Sequence, residues 1–244
     1  MTDGIKLVPG TLLHGRVRHD QPESGHRTSL EPVLLAASIQ ARPGQRVLEG
    51  GSGAGAALLC LAHRVPGLTG LGVEREPELV RLAQANAAAN GFTGLSFVAE
   101  DLTPFRADAV FDHAMANPPW HAPAGTASPD ARREGARRAA SGLFAGWANA
   151  LAAPLRRGGT LTLVVSAQVV AESLDALRQA GCGGLAVFPL WPKQGREAKL
   201  VLLRGVKGAR SPCRLLPGLV LHAPDGSYTD EAQAVLRDGA ALGW

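Results

Sequence analysis

Cysteine is scarce. The chain has three in 244 residues, at Cys60, Cys182 and Cys213. They are far apart and odd in number, with no CxxC, which suits a reducing cytosol better than a disulfide frame or a zinc site. No spacing of His, Cys and carboxylates suggests any other metal. Long apolar runs are missing as well; none approaches the ~18 residues that cross a bilayer. The opening MTDGIKLVPG has no apolar core of signal-peptide length. The expectation is a cytoplasmic protein with no membrane and no metal. Repeats and low-complexity linkers are also lacking, and aromatic residues make up 5%. What remains, 45% hydrophobic and 19% charged, is a soluble globular composition. A net charge of +4 permits a polyanionic partner without requiring one. Basic residues group at Arg16, Arg18 and Arg27, at Arg132, Arg133, Arg137 and Arg138, and at Lys207, Arg210 and Arg214. Whether they share one surface is not readable from the sequence, and a solvated helix face explains RREGARR as simply.

From residue 46 the pattern alternates. RVLEG (46–50) reads as a strand, followed by a glycine turn and the apolar helix AALLCLAHR. LTGLGVE (68–74) is a second strand. Pro77 then sits in the first turn of a helix that Asn90-Gly91 stops. LSFVAE (95–100) and AVFDHAMA (109–116) are the third and fourth strands, a helix follows around 130–153, and GTLTLVVS (159–166) is the fifth strand. Residues 168–180 are helical, and LAVFPLW and AKLVLLRG add two strands. Beyond them lie an extended LPGLVLH, an Asp225-Gly226 turn and a short helix from near Thr229. This order predicts an α/β fold: a doubly wound, Rossmann-like, seven-stranded, mostly parallel sheet with helices on both faces. Residues 1–244 read as one domain, with a core of about 40–205 and extensions over 1–39 and 206–244.

Directly after the first strand comes EGGSGAG (49–55). Gly51, Gly53 and Gly55 let a backbone turn tightly and approach a nucleotide, and with Ala56 the same letters satisfy G-x-G-x-x-A. A nucleotide cofactor at this turn is indicated, but NAD and S-adenosylmethionine both remain open. Glu74 ends the second strand, where a carboxylate accepts from ribose hydroxyls in either case. Asp101, after Glu100, could accept from an adenine amine. An acidic lining suits a sulfonium cation, and no lysine in the loop awaits a pyrophosphate, which tilts the choice to S-adenosylmethionine.

The fourth strand ends in NPPW (117–120). If strands one and four are neighbours across the switch point, this stretch emerges beside the glycine loop. A residue before proline is pushed to extended backbone, and proline fixes its own φ and lacks an N–H. The Asn117 side-chain oxygen and the Pro118 carbonyl then form two stiff acceptors, matched to one –NH₂ group. Such an arrangement frees the lone pair of a delocalised amine, so positioning carries the rate and no strong base is needed. Trp120 would stack on the flat face of a base.

NPPW after a fourth strand resembles the N-P-P-aromatic motif of class I amino-methyltransferases dependent on S-adenosylmethionine. RVRHDQPESGHRTSLEPVLLAA (16–37) and the tail AKLVLLRGVKG…LVLHAPDGSYTDEAQAVLRDG are similar to the bacterial tRNA(Val) anticodon-loop adenine-N6 methyltransferases, so the likeness runs from about residue 11 to 238. It implies methyl transfer from S-adenosylmethionine to N6 of an adenine in tRNA, at position 37. It places Glu49, Gly51, Gly53 and Gly55 around the methionine part of the cofactor, Glu74 on the ribose, and Asp101 with Leu102 at the adenine. Asn117, which also touches the cofactor, Pro118 and Trp120 would hold the target base. Gln21, Arg27, Pro119 and His121 would complete the substrate side. The chain departs from the usual pattern with Glu31 and Glu49 in place of aspartates and Trp120 in place of Tyr or Phe.

Rival expectations were another planar amine, either guanine N2 of rRNA or a protein glutamine, an NAD-dependent oxidoreductase, and a non-catalytic RNA-binding module. The glutamine enzymes carry a helical N-terminal domain for which there is little room. The oxidoreductase leaves NPPW without a role, and a module without chemistry has no need of Asn117. His113, on the fourth strand, reads as structural. Trp147 and Trp191 read as packing in the core or at its edge, and Trp191 could instead flank a basic substrate groove.

Overall fold

A computed structural model describes residues 6–23, 29–119 and 142–244. The N-terminal stretch forms two nested antiparallel ladders: β1 (Leu7–Val8) pairs with β4 (Gln21–Pro22), and inside them β2 (Thr11–Leu12) pairs with β3 (Val17–Arg18). Helix α1 spans Glu31–Ser38, with Pro32 in its first turn, where a missing N–H costs nothing. The alternating core follows as β5 (Arg46–Gly50), α2 (Ala56–Arg64), β6 (Thr69–Glu74), α3 (Pro77–Ala89), β7 (Leu95–Ala99) and β8 (Phe111–Ala116). Helix α4 covers 142–152 among the described residues. The chain ends through β9 (Leu155–Ser166), α5 (Val170–Gln179), β10 (Cys182–Lys193), β11 (Leu200–Lys207), β12 (Arg214–Leu215), β13 (Leu219–His222) and α6 (Asp230–Asp238).

The main sheet runs β7-β6-β5-β8-β9-β11-β10, with β12 and β13 both pairing with β10. All of these ladders are parallel except those made by β11, which runs against both β9 and β10. The seven expected strands are therefore present, and the sheet grows to nine because the C-terminal segment adds two short ones at its edge. Strand β9 begins at Leu155, earlier than the expected 159, and slips register against β8 between Phe111 and His113.

Alternate strand residues face opposite layers. Val47, Met115, Val164 and Leu202 pack with α1, α2, α3 and α6, whereas Leu48, Ala114, Leu163 and Leu203 pack with α4 and α5. Helix α1 corrects the sequence expectation. It falls in the stretch read as an extension, yet Val33, Leu34 and Leu35 are buried in the first layer. Leu13 and Val17 of the hairpin and Ala232, Val235 and Leu236 of α6 join the same layer. Helix α6 is capped by the Thr229 hydroxyl, which accepts from the Ala232 N–H at 3.2 Å.

Candidate functional site

Strand order reverses between β5 and β8. These two strands are parallel neighbours in a register that sets Gly50 opposite Ala116. The glycine loop that leaves β5 and the Asn117-Pro118-Pro119 segment that leaves β8 therefore start side by side, at the switch point where open α/β sheets bind ligands. Both line one cavity of about 680 Å³ at the carboxyl ends of the strands.

The loop's path explains its glycines. Gly51 has φ +65°, and a Cβ there would lie 2.7 Å from Cη2 of Trp147, so the indole edge rests against bare backbone. Gly53 donates its N–H to Glu74 Oε2 at 2.9 Å. Gly55 differs from its assigned place: it is the left-handed N-cap of α2, and a Cβ would sit 3.1 Å from Phe97. It seats the helix on the sheet and does not line the cavity.

Carboxylates dominate the wall. Glu31, Glu49, Glu74, Glu76, Glu100 and Asp101 line it, with Arg75 the one cationic side chain among the described residues. Glu49 is buried and accepts only a long 3.3 Å bond from the Leu58 N–H. Burial pushes its carboxyl up to about 8, the Leu58 N–H opposes that rise, and the negative charge of Glu74 adds to it. Glu74 is pinned by two backbone donors, Gly53 and, at 3.1 Å, Glu76. Asp101 accepts from the Thr103 N–H at 2.9 Å. The hydroxyl of Ser52 is buried without a hydrogen-bond partner among the described residues. An orphaned hydroxyl among carboxylates calls for a ligand that is cationic and rich in donors and acceptors. S-adenosylmethionine, with a sulfonium and an ammonium against one carboxylate, fits that wall. The pyrophosphate of NAD would face a wall of carboxylates, Glu31, Glu74, Glu76, Glu100 and Asp101 among them.

Of the residues singled out from the sequence, Gln21, Glu49, Gly51, Gly53, Glu74, Asp101, Leu102, Asn117, Pro118 and Pro119 line this one cavity. Asn117 is half-buried, Pro118 buried and Pro119 exposed. Arg27, Trp120 and His121 lie outside the described residues, as do Arg132, Arg133, Arg137 and Arg138. His113 is away from the cavity: its Nδ1 meets Thr160 Oγ1 at 2.8 Å and its Nε2 meets Gln45 Oε1 at 3.1 Å. Trp191 is half-buried at the sheet edge, donating to the Pro217 carbonyl at 2.9 Å.

Three participants escaped the sequence reading. Trp147 packs on the core as expected but also presents its ring to the cavity. Ser52 lay in plain view inside EGGSGAG. The third is a pair of asparagines. Asn86 accepts from the Asp20 N–H and donates to the Asp20 carbonyl, both at 3.0 Å, and donates to the Ala54 carbonyl at 3.1 Å. Asn90, one turn on, makes the same reciprocal pair with Arg18, at 2.8 Å each way. Two side-chain amides thus stand in for a strand edge, and they carry the hairpin to the point where Gln21 reaches the cavity. Asn86 left a signal, since asparagine is unfavourable inside a helix and there needs partners, whereas Asn90 reads simply as the helix stop.

Comparisons with known proteins agree with this geometry. The methyltransferase small domain family matches residues 30–182, more than half of the chain. A tRNA1(Val) (adenine(37)-N6)-methyltransferase of Aeromonas hydrophila is 28% identical over 90% of this chain and 92% of its own. Its counterpart in Pedobacter heparinus is 25% identical over 90% and 93%. Among solved structures, a predicted O-methyltransferase of Agrobacterium tumefaciens superposes with a TM-score of 0.72 at 25% identity, covering 87% of this chain and 98% of its own.

Proposed function

This chain belongs to the methyltransferase small domain family, and from that premise we propose that it methylates N6 of an adenine in the anticodon loop of a tRNA, at position 37, using S-adenosylmethionine. One observation carries the reading: the β5–β8 register sets an asparagine followed by two prolines against a glycine loop, in a cavity whose walls are acidic. The named activity of the Aeromonas and Pedobacter relatives, matched over nine-tenths of both chains, supplies the substrate. A tRNA substrate puts the enzyme in the cytoplasm. We read residues 1–244 as one domain, because the hairpin and α6 bury their apolar residues in the same layer as α1 and α2.

S-adenosylmethionine, when bound, supplies an electrophilic methyl group on a sulfonium centre. Glu49 and Ser52 would hold its amino-acid end, with Glu49 ionising as the cation enters. Glu74, already oriented by two backbone N–H groups, offers its remaining lone pairs to the ribose hydroxyls. Asp101, braced by the Thr103 N–H, would accept from the adenine amine, and Leu102 would lie beside the ring. On the substrate side, Asn117 Oδ1 and the Pro118 carbonyl accept the two N–H bonds of the target amine. That pulls the nitrogen towards tetrahedral geometry and aims its lone pair at the cofactor. Positioning of this kind supplies roughly 7–11 kcal/mol. The amine would take the methyl as its bond to sulfur breaks, leaving the neutral thioether S-adenosylhomocysteine, and the surplus proton would leave to water, so no buried base is required. An anticodon-loop base enters without opening a duplex. By the family resemblance Trp120 would stack on it, with Gln21, Arg27, Pro119 and His121 on the substrate side.

The test uses labelled S-adenosylmethionine and tRNA lacking its natural modifications, followed by nuclease mapping. The expected product is N6-methyladenosine at position 37. Label in ribosomal RNA or protein, with none in tRNA, would overturn the reading.

A further inference from the structure

Among the described residues, the basic groups conspicuous in the sequence do not line the cavity. Arg16 is paired with Asp238, and the Arg18 backbone is bonded to Asn90 at the end of α3, with neither arginine lining the cavity. Lys207 is spent on the Ala180 carbonyl at 2.8 Å, and Arg210 and Arg214 sit along the early part of β10. A different set does frame it. Leu200, the first residue of β11, lines the cavity and pairs with Ser166, which lines it too. The turn that precedes Leu200 carries Lys199 and Arg196, both exposed, and Lys193 stands at the end of β10. Among the described residues none of these three is in an ion pair, whereas Arg16, Arg75, Arg81, Arg156 and Arg178 each are.

The neighbouring turn is built to stay still. Strand β13 runs parallel to β10 with His222 opposite Lys193, so its end reaches the same rim. Lys193 Nζ donates to the Pro224 carbonyl at 3.1 Å, and the His222 ring stacks on Tyr228 at 4.9 Å with 21° between planes. Asp225 is folded back onto the Ser227 N–H and hydroxyl, which leaves Glu197 as the one carboxylate of the 194–199 turn.

Charge decides the direction of approach. Asn117 leaves β8 in the middle of the sheet. On its β5-β6-β7 side the cavity wall is acidic, through Glu74, Glu76, Glu100 and Asp101. On its β9-β11-β10 side the rim offers Lys193, Arg196 and Lys199. A polyphosphate strand is repelled by the first side and attracted by the second. We propose that the β10–β11 turn, through Arg196 and Lys199, is the surface that grips the RNA backbone flanking the target base. The inference rests on the RNA reading above and deepens it: the strand enters over β11, not over the cofactor side.

The test compares wild type with Arg196→Ala/Lys199→Ala and with Arg210→Ala/Arg214→Ala, a control pair of exposed arginines near the opposite end. Fluorescence anisotropy with unmodified tRNA reads Kd against salt, and calorimetry with S-adenosylhomocysteine reports on the fold and the cofactor side. The rim variant is expected to bind tRNA roughly tenfold more weakly, with a salt slope shallower by about one and a half to two. Its S-adenosylhomocysteine affinity should be unchanged and the control pair should bind as wild type. Equal losses in both variants, or no loss in the rim variant, would overturn the surface. The two readings fail separately. A rim-dependent tRNA complex that accepts no methyl group sinks the proposed reaction alone. Normal methylation with unchanged affinity and slope in the rim variant sinks this surface alone.

Discussion

Strands β5 and β8 lie side by side, yet their two ends are opposites. Towards their amino ends the ionisable side chains of β8 are fully partnered. His113 is held through both ring nitrogens, and Asp112 accepts from the Arg46 N–H at 2.9 Å and from Arg156 Nε at 2.7 Å. At their carboxyl ends Ser52 has no partner among the described residues and Glu49 has one long bond. Both ends bury an ionisable side chain, and burial neutralises each: His113 is pushed down to about 4, Glu49 up to about 8. The histidine's neutrality is completed by its neighbours. The glutamate's is provisional, waiting for a cation. At these two strands, then, the loosely partnered Ser52 and Glu49 stand at the cavity, and the fully bonded His113 and Asp112 at the end that holds the sheet together.

The sharpest way to break this contrast is Asn117→Ala. If the carboxyl end exists for chemistry, turnover on tRNA should fall by ~10²–10³ or more, the scale on which one preorganised hydrogen-bonding group counts in a transition state. S-adenosylhomocysteine affinity, measured by calorimetry, should stay within a few fold of wild type. Unchanged turnover would remove Asn117 from the mechanism.

Glu49→Gln comes next. With its folded value raised from 4.5 to about 8, wild-type Glu49 stabilises the empty protein at low pH, and that contribution is lost as pH rises through the window between the two. The thermal midpoint of the apo protein should decline across this window, and less steeply in the variant. A cationic ligand reverses the preference, so cofactor binding at pH 7 should release a proton from wild type and none from the variant. Calorimetry in buffers of different ionisation enthalpy reads this directly. Affinity should drop about tenfold, for the loss of one charge-assisted contact. Proton release that survives in the variant would assign it elsewhere.

These groups also show what was legible beforehand. The bounds of β5, α2 and α3 follow from local rules: an apolar run, glycine stops, and a proline where a helix tolerates one. Placing NPPW beside EGGSGAG needed one assumption about neighbouring strands, and the fold grants it. Three things resisted. Trp147 reaches the cavity because α4 crosses behind Gly51, a contact between distant segments that no periodicity announces. Helix α1 lies in text that looks like a tail because it has only eight residues, a short window for a pattern. The basic residues proposed to meet RNA stood singly in PKQGREAK, whereas in the eye-catching clusters Arg16 is paired, Lys207 is bonded to a carbonyl, Arg18, Arg210 and Arg214 are exposed without lining the cavity, and the rest lie outside the described residues.

Asn86 sits on the border of the comparison, tying the hairpin to the glycine loop. Asn86→Ala strands the Asp20 backbone and the Ala54 carbonyl, which should cost about 1–3 kcal/mol of stability. A larger KM for tRNA with little change in kcat should accompany it, since Gln21 loses its anchor and Asn117 does not. Asn90→Ala, which frees only Arg18 from the hairpin side, should show the same trend at lower amplitude with cofactor affinity intact. If Asn86→Ala lowers the thermal midpoint but leaves KM alone, the clamp is architectural only.

The smallest effect belongs to the quiet end. Arg156 is half-exposed and pairs with Asp112, whose carboxyl is desolvated yet held below its ordinary range by the Arg46 N–H and by Arg156 itself. Removing the guanidinium in Arg156→Ala leaves Asp112 with its backbone donor and with water. The loss should therefore be that of an exposed pair, about 0.2–1 kcal/mol. It should fade as pH falls through the carboxylate range, where protonation of Asp112 ends the attraction in the wild type too. Turnover and cofactor affinity should not move, because nothing at this end reaches the cavity. A clear drop in kcat from this substitution would mean that the two ends of β8 are coupled through the strand, and the division of labour between them would have to be abandoned.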